Sequence, residues 1–142
     1  MTKTPPLIHT YMNVITRSAN NELILTLSER ATLDNPYYLV RAECIATREV
    51  KRFILPSDTS SYPLRYNKFT ITESASEILT SGTVELSPAG DWKFSVYEQE
   101  SATNLSEWNA LTLLEEGLFK VVEADALNTY LYADGQDKQY VL

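Results

Sequence analysis

Alternation of apolar and polar residues is strongest in the segment WKFSVYEQ, residues 92–99. Side chains of a β-strand point alternately to its two faces, so Trp92, Phe94 and Val96 share one face. The opposite face begins with the charged residue Lys93. The pattern therefore predicts a strand whose three large apolar side chains point into the core.

Six further segments show strand-like patterns, and turn-forming residues such as Asn35-Pro36 separate them. These segments are NELILTLSER, YYLVRAECIA, VKRFILP, KFTITE, GTVELSP and GLFKVVE. The short link Ala89-Gly90-Asp91 predicts a hairpin between GTVELSP and the strand of Trp92. Strands at this spacing indicate a mainly β sandwich or barrel. We expect an antiparallel, immunoglobulin-like β-sandwich with about 7–9 strands.

The segment between the last two predicted strands, residues 100–116, interrupts the alternation. Leu105, Trp108, Leu111 and Leu114 recur in it at helix-like spacing, but the segment is short and rich in Ser, Thr and Asn. It predicts an excursion from the sheet with at most one or two short helical turns.

The two ends of the chain differ from the middle. Pro5 and Pro6 exclude a helix at the start, so residues 1–19 are expected to form an extended arm that pairs with a sheet edge. Residues 20–123 form the predicted sandwich domain. Residues 124–142 are expected to form a hairpin or tail, turning at Asp134-Gly135, that packs on the body or on another copy.

The net charge of −7 is distributed unevenly. Residues 1–71 carry nine Lys or Arg and six Asp or Glu, which gives +3, and residues 72–142 carry three and thirteen, which gives −10. The second half could be a solvated acidic surface, or opposite patches on neighbouring copies could guide self-association. Either way the overall negative charge disfavours a nucleic-acid partner.

The lengths of the apolar runs and the cysteine content indicate where in the cell the protein is expected to function. No stretch reaches the roughly 20 apolar residues of a membrane helix, so no membrane partner is expected. Cys44 is the only cysteine, which rules out an intramolecular disulfide and indicates a small core residue. Met1–Pro6 lacks the apolar region of a secretory signal, so we expect the chain to be made and used in a cytoplasm-like setting.

The residues that could support catalysis are few. His9 is the single histidine and lies in the predicted arm, and the chain has neither a zinc ligand set nor a phosphate-binding glycine loop. The carboxylate pairs Glu98/Glu100 and Glu115/Glu116 are more typical of exposed strand ends than of a glycosidase cleft. A calcium site at 134–137 would be far from a full loop motif. We expect no catalytic residues, no metal and no cofactor, and therefore no enzyme.

Aromatic residues leave two possible roles for the surface. Tyrosine occurs nine times, and its ring suits half-buried faces and interfaces. We take Trp108, Tyr130, Tyr132 and Tyr140 as candidate interface residues. The alternative is a carbohydrate-binding module, which would need a planar aromatic platform outside the core.

The order of several segments resembles a known group of proteins. The series is NPYYLV, SDTSSYPLRYNKFTI, GTVELSPAGDWKFSVYEQESATNL and LLEEGLFKVV. It resembles small virion-associated proteins of tailed phages that infect Bacteroidetes-type hosts, including crAss-like phages. The similarity covers about residues 20–123 and leaves out both ends of the chain.

The positions that carry the resemblance are strand and turn residues, namely Pro63, Arg65, Tyr66, Asn67, Trp92, Tyr97, Glu98, Gln99 and Asn104. Trp92, Phe94, Val96, Tyr66 and Arg65 are expected to be structural or core residues. Arg65 is expected to pair with Glu98 or to bond backbone carbonyls. Asn67 and Asn104 would fix turns.

The resemblance implies a β-sandwich component of a phage virion that is assembled in the host cytoplasm. Such a protein would be a capsid auxiliary or decoration protein, a fibre-base protein or a tail adaptor. Its partners would be capsid, portal or neck, or fibre proteins and further copies of itself, contacted through its arms and sheet edges.

Overall fold

The computed structural model describes residues 13–124, which form eight β-strands and two single 3₁₀ turns. The strands are β1 (Asn13–Thr16), β2 (Asn20–Leu25), β3 (Tyr37–Cys44), β4 (Val50–Ile54), β5 (Asn67–Glu73), β6 (Thr83–Val84), β7 (Gly90–Gln99) and β8 (Thr112–Val122). The turns are Leu79–Ser81 and Glu107–Asn109. The prediction of a mainly β fold with at most one or two short helical turns is confirmed.

Two sheets pack face to face. The large sheet has the strand order β1-β8-β7-β3-β4, and the small sheet has the order β2-β5-β6. Neighbours are antiparallel except for β1 with β8 and β5 with β6, which run parallel. The fold is therefore the predicted β-sandwich. β1 lies within the segment that was interpreted as an arm, and it pairs with the edge of the large sheet through residues 13–16.

The core between the sheets is built around the aromatic side chains of β7 and β8. Trp92 is completely buried and stacks on Phe119, with ring centroids 6.2 Å apart and planes 9° from parallel. Phe94 and Val96 are buried on the same face of β7, as the alternation predicted. The indole nitrogen of Trp92 donates to the carbonyl of Pro88 at 3.0 Å, so its one polar atom is satisfied. Each such side chain contributes about 1.5–3 kcal/mol by leaving water.

Cys44 and residues of the small sheet complete the core. Cys44 is buried at the end of β3, which confirms its role as a small core residue. Leu23, Phe69 and Ile71 supply the facing layer from the small sheet.

The predicted hairpin between GTVELSP and the strand of Trp92 is wrong. β6 pairs with β5 in the small sheet, whereas β7 lies in the centre of the large sheet, so the chain crosses between the layers at residues 85–89. Leu86 is fully buried on this crossing, and its N–H donates to the Glu73 carboxylate at 2.9 Å. A turn signal specifies a change of direction but not the sheet that the next strand joins.

Two asparagine side chains close one side of the sandwich, where β1 and β2 meet. The Asn13 amide donates to the carbonyl of Ile24 and accepts from its N–H, both at 3.2 Å. The Asn21 amide does the same for Thr16 at 3.0 and 2.8 Å. Each side chain takes the place of a neighbouring strand at one residue, so the backbone groups of Ile24 and Thr16 at these two sheet edges are satisfied.

Some predictions lie outside the described residues. These are His9, the possible calcium site at 134–137, the turn at Asp134-Gly135, and the candidate interface residues Tyr130, Tyr132 and Tyr140. Within residues 13–124, no helix is both long and apolar enough to span a membrane.

Candidate contact surface

The outer face of the large sheet carries a row of apolar residues that crosses four strands. Leu113 of β8 is opposite Tyr97 of β7, which is opposite Leu39 of β3, which is opposite Ile54 of β4. Leu39 and Ile54 are buried although they lie outside the main core cluster. This row gives the large sheet a second apolar surface on the side away from the small sheet.

The β7–β8 connection, residues 100–111, is fixed to this face by ion pairs. Glu107 binds Arg52 through both carboxylate oxygens, at 2.6 Å to Nε and 3.2 Å to Nη2. The Nε of Arg41 lies 3.2 Å from the same carboxylate. Hydrogen bonding from Arg52 lowers the pKa of Glu107, and Glu107 in turn raises the pKa of Arg52. A bidentate pair of this kind fixes geometry as well as supplying energy.

A second set of bonds fixes the start of the connection. The buried Gln99 side chain donates to the carbonyls of Ser101 and Asn104 at 2.9 and 3.0 Å. Asn104 donates to the Gln99 oxygen at 2.7 Å, and its own oxygen accepts from the Ser106 N–H at 3.1 Å. This confirms the predicted role of Asn104 in fixing a turn.

Trp108 is exposed on this fixed connection. Its exposed fraction is 86%, and Leu111 and Leu113 beside it in the chain are 58% and 44% exposed. We call these three residues the Trp108 patch. The helix-like spacing of Trp108 and Leu111 yields only the 3₁₀ turn Glu107–Asn109, because β8 already begins at Thr112. The sequence indicated Trp108 as an interface residue. It did not indicate Leu113, since the start of β8 was not predicted.

An open groove of about 880 Å³ lies where loops from both sheets meet, and we call it the loop-end groove. Its walls include proline, tyrosine and leucine side chains, namely Pro36, Tyr37, Pro56, Pro63 and Leu64. Its polar lining includes the acceptor side chains Asp34, Asn35 and Asp58, and within residues 13–124 no lysine or arginine lines it. The lining therefore suits an apolar or hydrogen-bond-donating group better than an anion.

Asn67 connects the loops that line the groove. Its side-chain oxygen accepts from the N–H groups of Leu27 and Ser28, and its nitrogen donates to the Ser28 hydroxyl and to the Asp58 carboxylate. The other oxygen of Asp58 accepts from the N–H of Lys68 at 2.9 Å. Asn67 thus fixes the distant turn that begins at Leu27, not a turn next to itself as predicted, and its bonds make the groove a preformed feature.

Glu98 is buried below a loop next to this groove, and its partners differ from the predicted one. Its carboxylate accepts from the N–H and hydroxyl of Thr32 at 2.9 and 2.7 Å and from the N–H of Leu33 at 3.1 Å. Burial would raise the pKa of Glu98, but the Thr32 hydroxyl and the two amides outweigh it, so the pKa is lowered. Arg65 is exposed and does not contact Glu98 in the described part of the chain.

The interpretation of Arg65 as a core residue therefore needs correction, and Tyr66 beside it is only half-buried. The backbone N–H groups of both residues donate to the carbonyl of Tyr62, which makes them part of a tight turn. Sequence could not distinguish this role, because the carboxylate that Arg65 was expected to bind is occupied by backbone donors from a distant loop.

The carboxylates that were considered for catalysis are in separate environments. The expectation of exposed strand ends is wrong for Glu98, which is buried and held by three donors, whereas Glu100 is exposed. Burial raises the pKa of Glu115, which accepts from the Thr26 N–H at 3.0 Å, whereas Glu116 is exposed. Across residues 13–124 no group of three or more His, Cys, Asp or Glu side chains is placed to hold a metal ion.

Comparisons with known proteins assign no family to this chain. The chain matches no protein-family model and no curated protein. Among solved structures it is similar to the crystal structure of a "putative glycoside hydrolase" from Bacteroides vulgatus ATCC 8482, with a TM-score of 0.41 and 13% identity over 80% of this chain. The matched region spans 17% of the length of that protein. At that TM-score the similarity assigns no function.

Proposed function

We propose that this protein is a non-enzymatic structural component that acts by protein–protein contact within a phage virion. The observation that carries the contact role is the Trp108 patch. The large apolar side chain of Trp108 is 86% exposed, and ion pairs and side-chain amide hydrogen bonds hold the segment that carries it in place.

Exposure and rigidity together favour binding. Ordering a flexible loop opposes association, so a segment that is already fixed loses less conformational freedom when it docks. Tryptophan is also among the residues that most often dominate the binding energy of an interface. The bonds of Glu107 and Asn104 therefore hold Trp108 in an exposed position that favours contact with another surface.

The virion setting is supported by the resemblance over residues 20–123 alone. The resemblance allows three kinds of virion protein: a capsid auxiliary or decoration protein, a fibre-base protein and a tail adaptor. In each of them the partners would be capsid, portal or neck, or fibre proteins. A preformed sandwich with an exposed contact residue suits any of these, since virion parts assemble by repeated contacts between folded units.

Mass spectrometry of purified phage particles tests this proposal. We expect the chain at a fixed copy number per particle, and we expect Trp108→Ala to reduce its incorporation while its thermal unfolding stays unchanged. Absence of the wild-type chain from purified particles would contradict the virion role. Normal incorporation of Trp108→Ala would contradict the role of the patch.

Carbohydrate binding is the second candidate, and two exposed aromatic rings favour it. Tyr37 lines the loop-end groove and is 45% exposed, and Tyr62, which precedes the groove residue Pro63, is 64% exposed. Tyrosine rings of this kind can stack on sugars. Glycan-array screening followed by titration would favour this function if a sugar binds at millimolar or lower concentration and Tyr37→Ala abolishes the binding.

A further inference from the structure

We infer that Trp108 of one copy docks into the loop-end groove of a second copy, so that the protein self-associates head to tail. This inference rests on the proposed contact function and names the partner surface. It follows from two features of one chain, an exposed indole that carries one hydrogen-bond donor and an open groove whose lining is apolar with hydrogen-bond acceptors.

The groove can hold the exposed ring. The Trp108 patch projects from a fixed connection, and the groove of about 880 Å³ has room for an indole ring between walls of proline, tyrosine and leucine. Leu64 on the wall is 82% exposed, so residues 13–124 leave a second large apolar side chain uncovered at the groove. Docking would cover Trp108 and Leu64 together and remove both from water.

The polar groups are complementary as well. An indole N–H is a donor only, and it needs an acceptor when the ring is buried. The groove lining supplies the side-chain oxygens of Asp34 and Asn35, both exposed residues, as acceptors for it. Among the described residues, no lysine or arginine lines the groove to compete for these acceptors. A partner that brings an apolar ring with a single donor therefore fits this lining better than an anionic one.

The two surfaces dictate the symmetry of the assembly. In the single chain Trp108 is exposed, so it does not occupy the groove of its own copy. The indole and the groove are different surfaces, so the contact is heterologous, and each copy keeps a free indole at one end and a free groove at the other. Contacts of this type extend into a ring or a filament.

The test uses two full-length variants, one for each surface. Trp108→Ala removes the docking residue, and Leu64→Arg places a charge and extra bulk at the groove. Sedimentation velocity should show concentration-dependent oligomers for the wild type and at least roughly tenfold weaker association for each variant alone. Ile24→Arg is the matched control, because Ile24 is an exposed apolar residue on the small sheet and its replacement should leave association unchanged.

Mixing the two variants distinguishes this contact from a symmetric one. Trp108→Ala keeps an intact groove, and Leu64→Arg keeps an intact indole, so a one-to-one mixture can form one productive contact and should stop at heterodimers. A symmetric contact of Trp108 with Trp108 would not be restored by mixing. Circular dichroism of each variant before mixing checks that it is folded.

Several results would overturn the inference. A wild-type chain that stays monomeric at every concentration would do so, and so would unchanged association of either variant or a mixture without heterodimers. A monomeric wild type whose Trp108→Ala variant is still lost from particles would refute self-association and leave the proposed function standing. Absence of the wild type from particles, with self-association intact, would refute only the virion role.

Discussion

Glu98 is a buried charge without a charged partner among its hydrogen-bond donors. Its carboxylate is satisfied by the hydroxyl and amide of Thr32 and the amide of Leu33, which connect β7 to the loop that follows β2. A carboxylate in this position is stabilised only while it is ionised. Glu98, which the sequence predicted to lie at an exposed strand end, is instead a buried fixed point for a loop, and its ionisation should control stability in acid.

Glu98→Gln should lower the free energy of unfolding at pH 7 by about 1–2 kcal/mol, since charge-assisted hydrogen bonds become neutral ones. The pKa of Glu98 is lowered in the folded protein, so its contribution is present above the unfolded-state value of about 4.3 and is lost as the pH falls through the folded-state pKa. Urea unfolding between pH 7 and pH 3 should therefore show a smaller acid loss for the variant than for the wild type.

Glu116→Gln, at an exposed position of β8, is the control and should follow the wild-type curve closely. Equal acid losses for Glu98→Gln and the wild type would mean that Glu98 does not carry this dependence.

The role of a single residue could be predicted from the sequence when it depends on residues close to it in the chain. Trp92, Phe94 and Val96 were assigned correctly because the two-residue period of a strand is local information. Arg65 was not, because the carboxylate expected to pair with it is bound by Thr32, which the fold brings in from a distant position. Asn104 was predicted as a turn residue, and its side chain does bond the nearby Ser106 N–H. Asn67 was predicted the same way, but its side chain bonds the N–H of Ser28, 39 residues away, which no local pattern indicates.

At the scale of elements, the short strand β1 depends on a side chain for its position. Asn21 of β2 accepts from the N–H of Thr16 and donates to its carbonyl, so it holds the end of β1. Asn21→Ala should cost about 1–3 kcal/mol in unfolding free energy, because the backbone groups of Thr16 lose their partner. Hydrogen exchange at the Thr16 amide should become faster.

Glu22→Ala is a suitable control, because Glu22 is a neighbouring exposed residue on the same strand. Unchanged exchange at Thr16 in Asn21→Ala would show that pairing with β8 alone holds β1.

The β7–β8 connection offers a separate test of rigidity. Arg52→Ala removes both bonds to one side of Glu107 while Trp108 is left in place. The connection should become mobile, and incorporation or self-association should weaken by roughly threefold to tenfold through the entropy of ordering it again. The unfolding free energy should change by less than about 1 kcal/mol, because the Arg52 side chain is partly exposed.

Time-resolved anisotropy of Trp108 is the direct measurement for this variant, and Arg48→Ala is the control at a more exposed arginine. Faster indole motion with unchanged association would mean that preorganisation contributes nothing to binding.

Elements were predictable where the pattern was both local and long enough. Seven of the described strands overlap segments that the alternation identified. β1 was read as an arm because its Asn13–Thr16 segment is too short to show a period, and its partner β8 is distant in the sequence. The predicted hairpin of β6 with β7 and the predicted late start of β8 were wrong for one reason. Strand pairing depends on which residues are buried between the two sheets, and a local pattern does not contain that information.

On the scale of the whole molecule, the uneven charge of the two halves has an explanation within one chain. Basic residues of the first half pair with acidic residues of the second. Examples are Arg17–Glu123 at 3.0 Å, Lys51–Glu77 at 2.7 Å and Arg52–Glu107 at 2.6 Å. The sandwich folds one half against the other, so these ion pairs compensate part of the charge difference within one chain. Attraction between opposite patches on neighbouring copies is therefore not needed to explain the pattern.

This compensation predicts how self-association depends on salt. The inferred contact of the Trp108 patch with the loop-end groove is apolar, with one indole hydrogen bond, so screening should affect it little. The Debye length falls from about 10 Å at 0.1 M salt to about 3 Å at 1 M. Over that range we expect the dissociation constant, measured by sedimentation equilibrium, to change by less than about threefold. Association driven by charged patches would weaken by roughly tenfold or more over the same range. A steep loss with sodium chloride would therefore contradict the apolar contact and restore charge attraction between copies as its explanation.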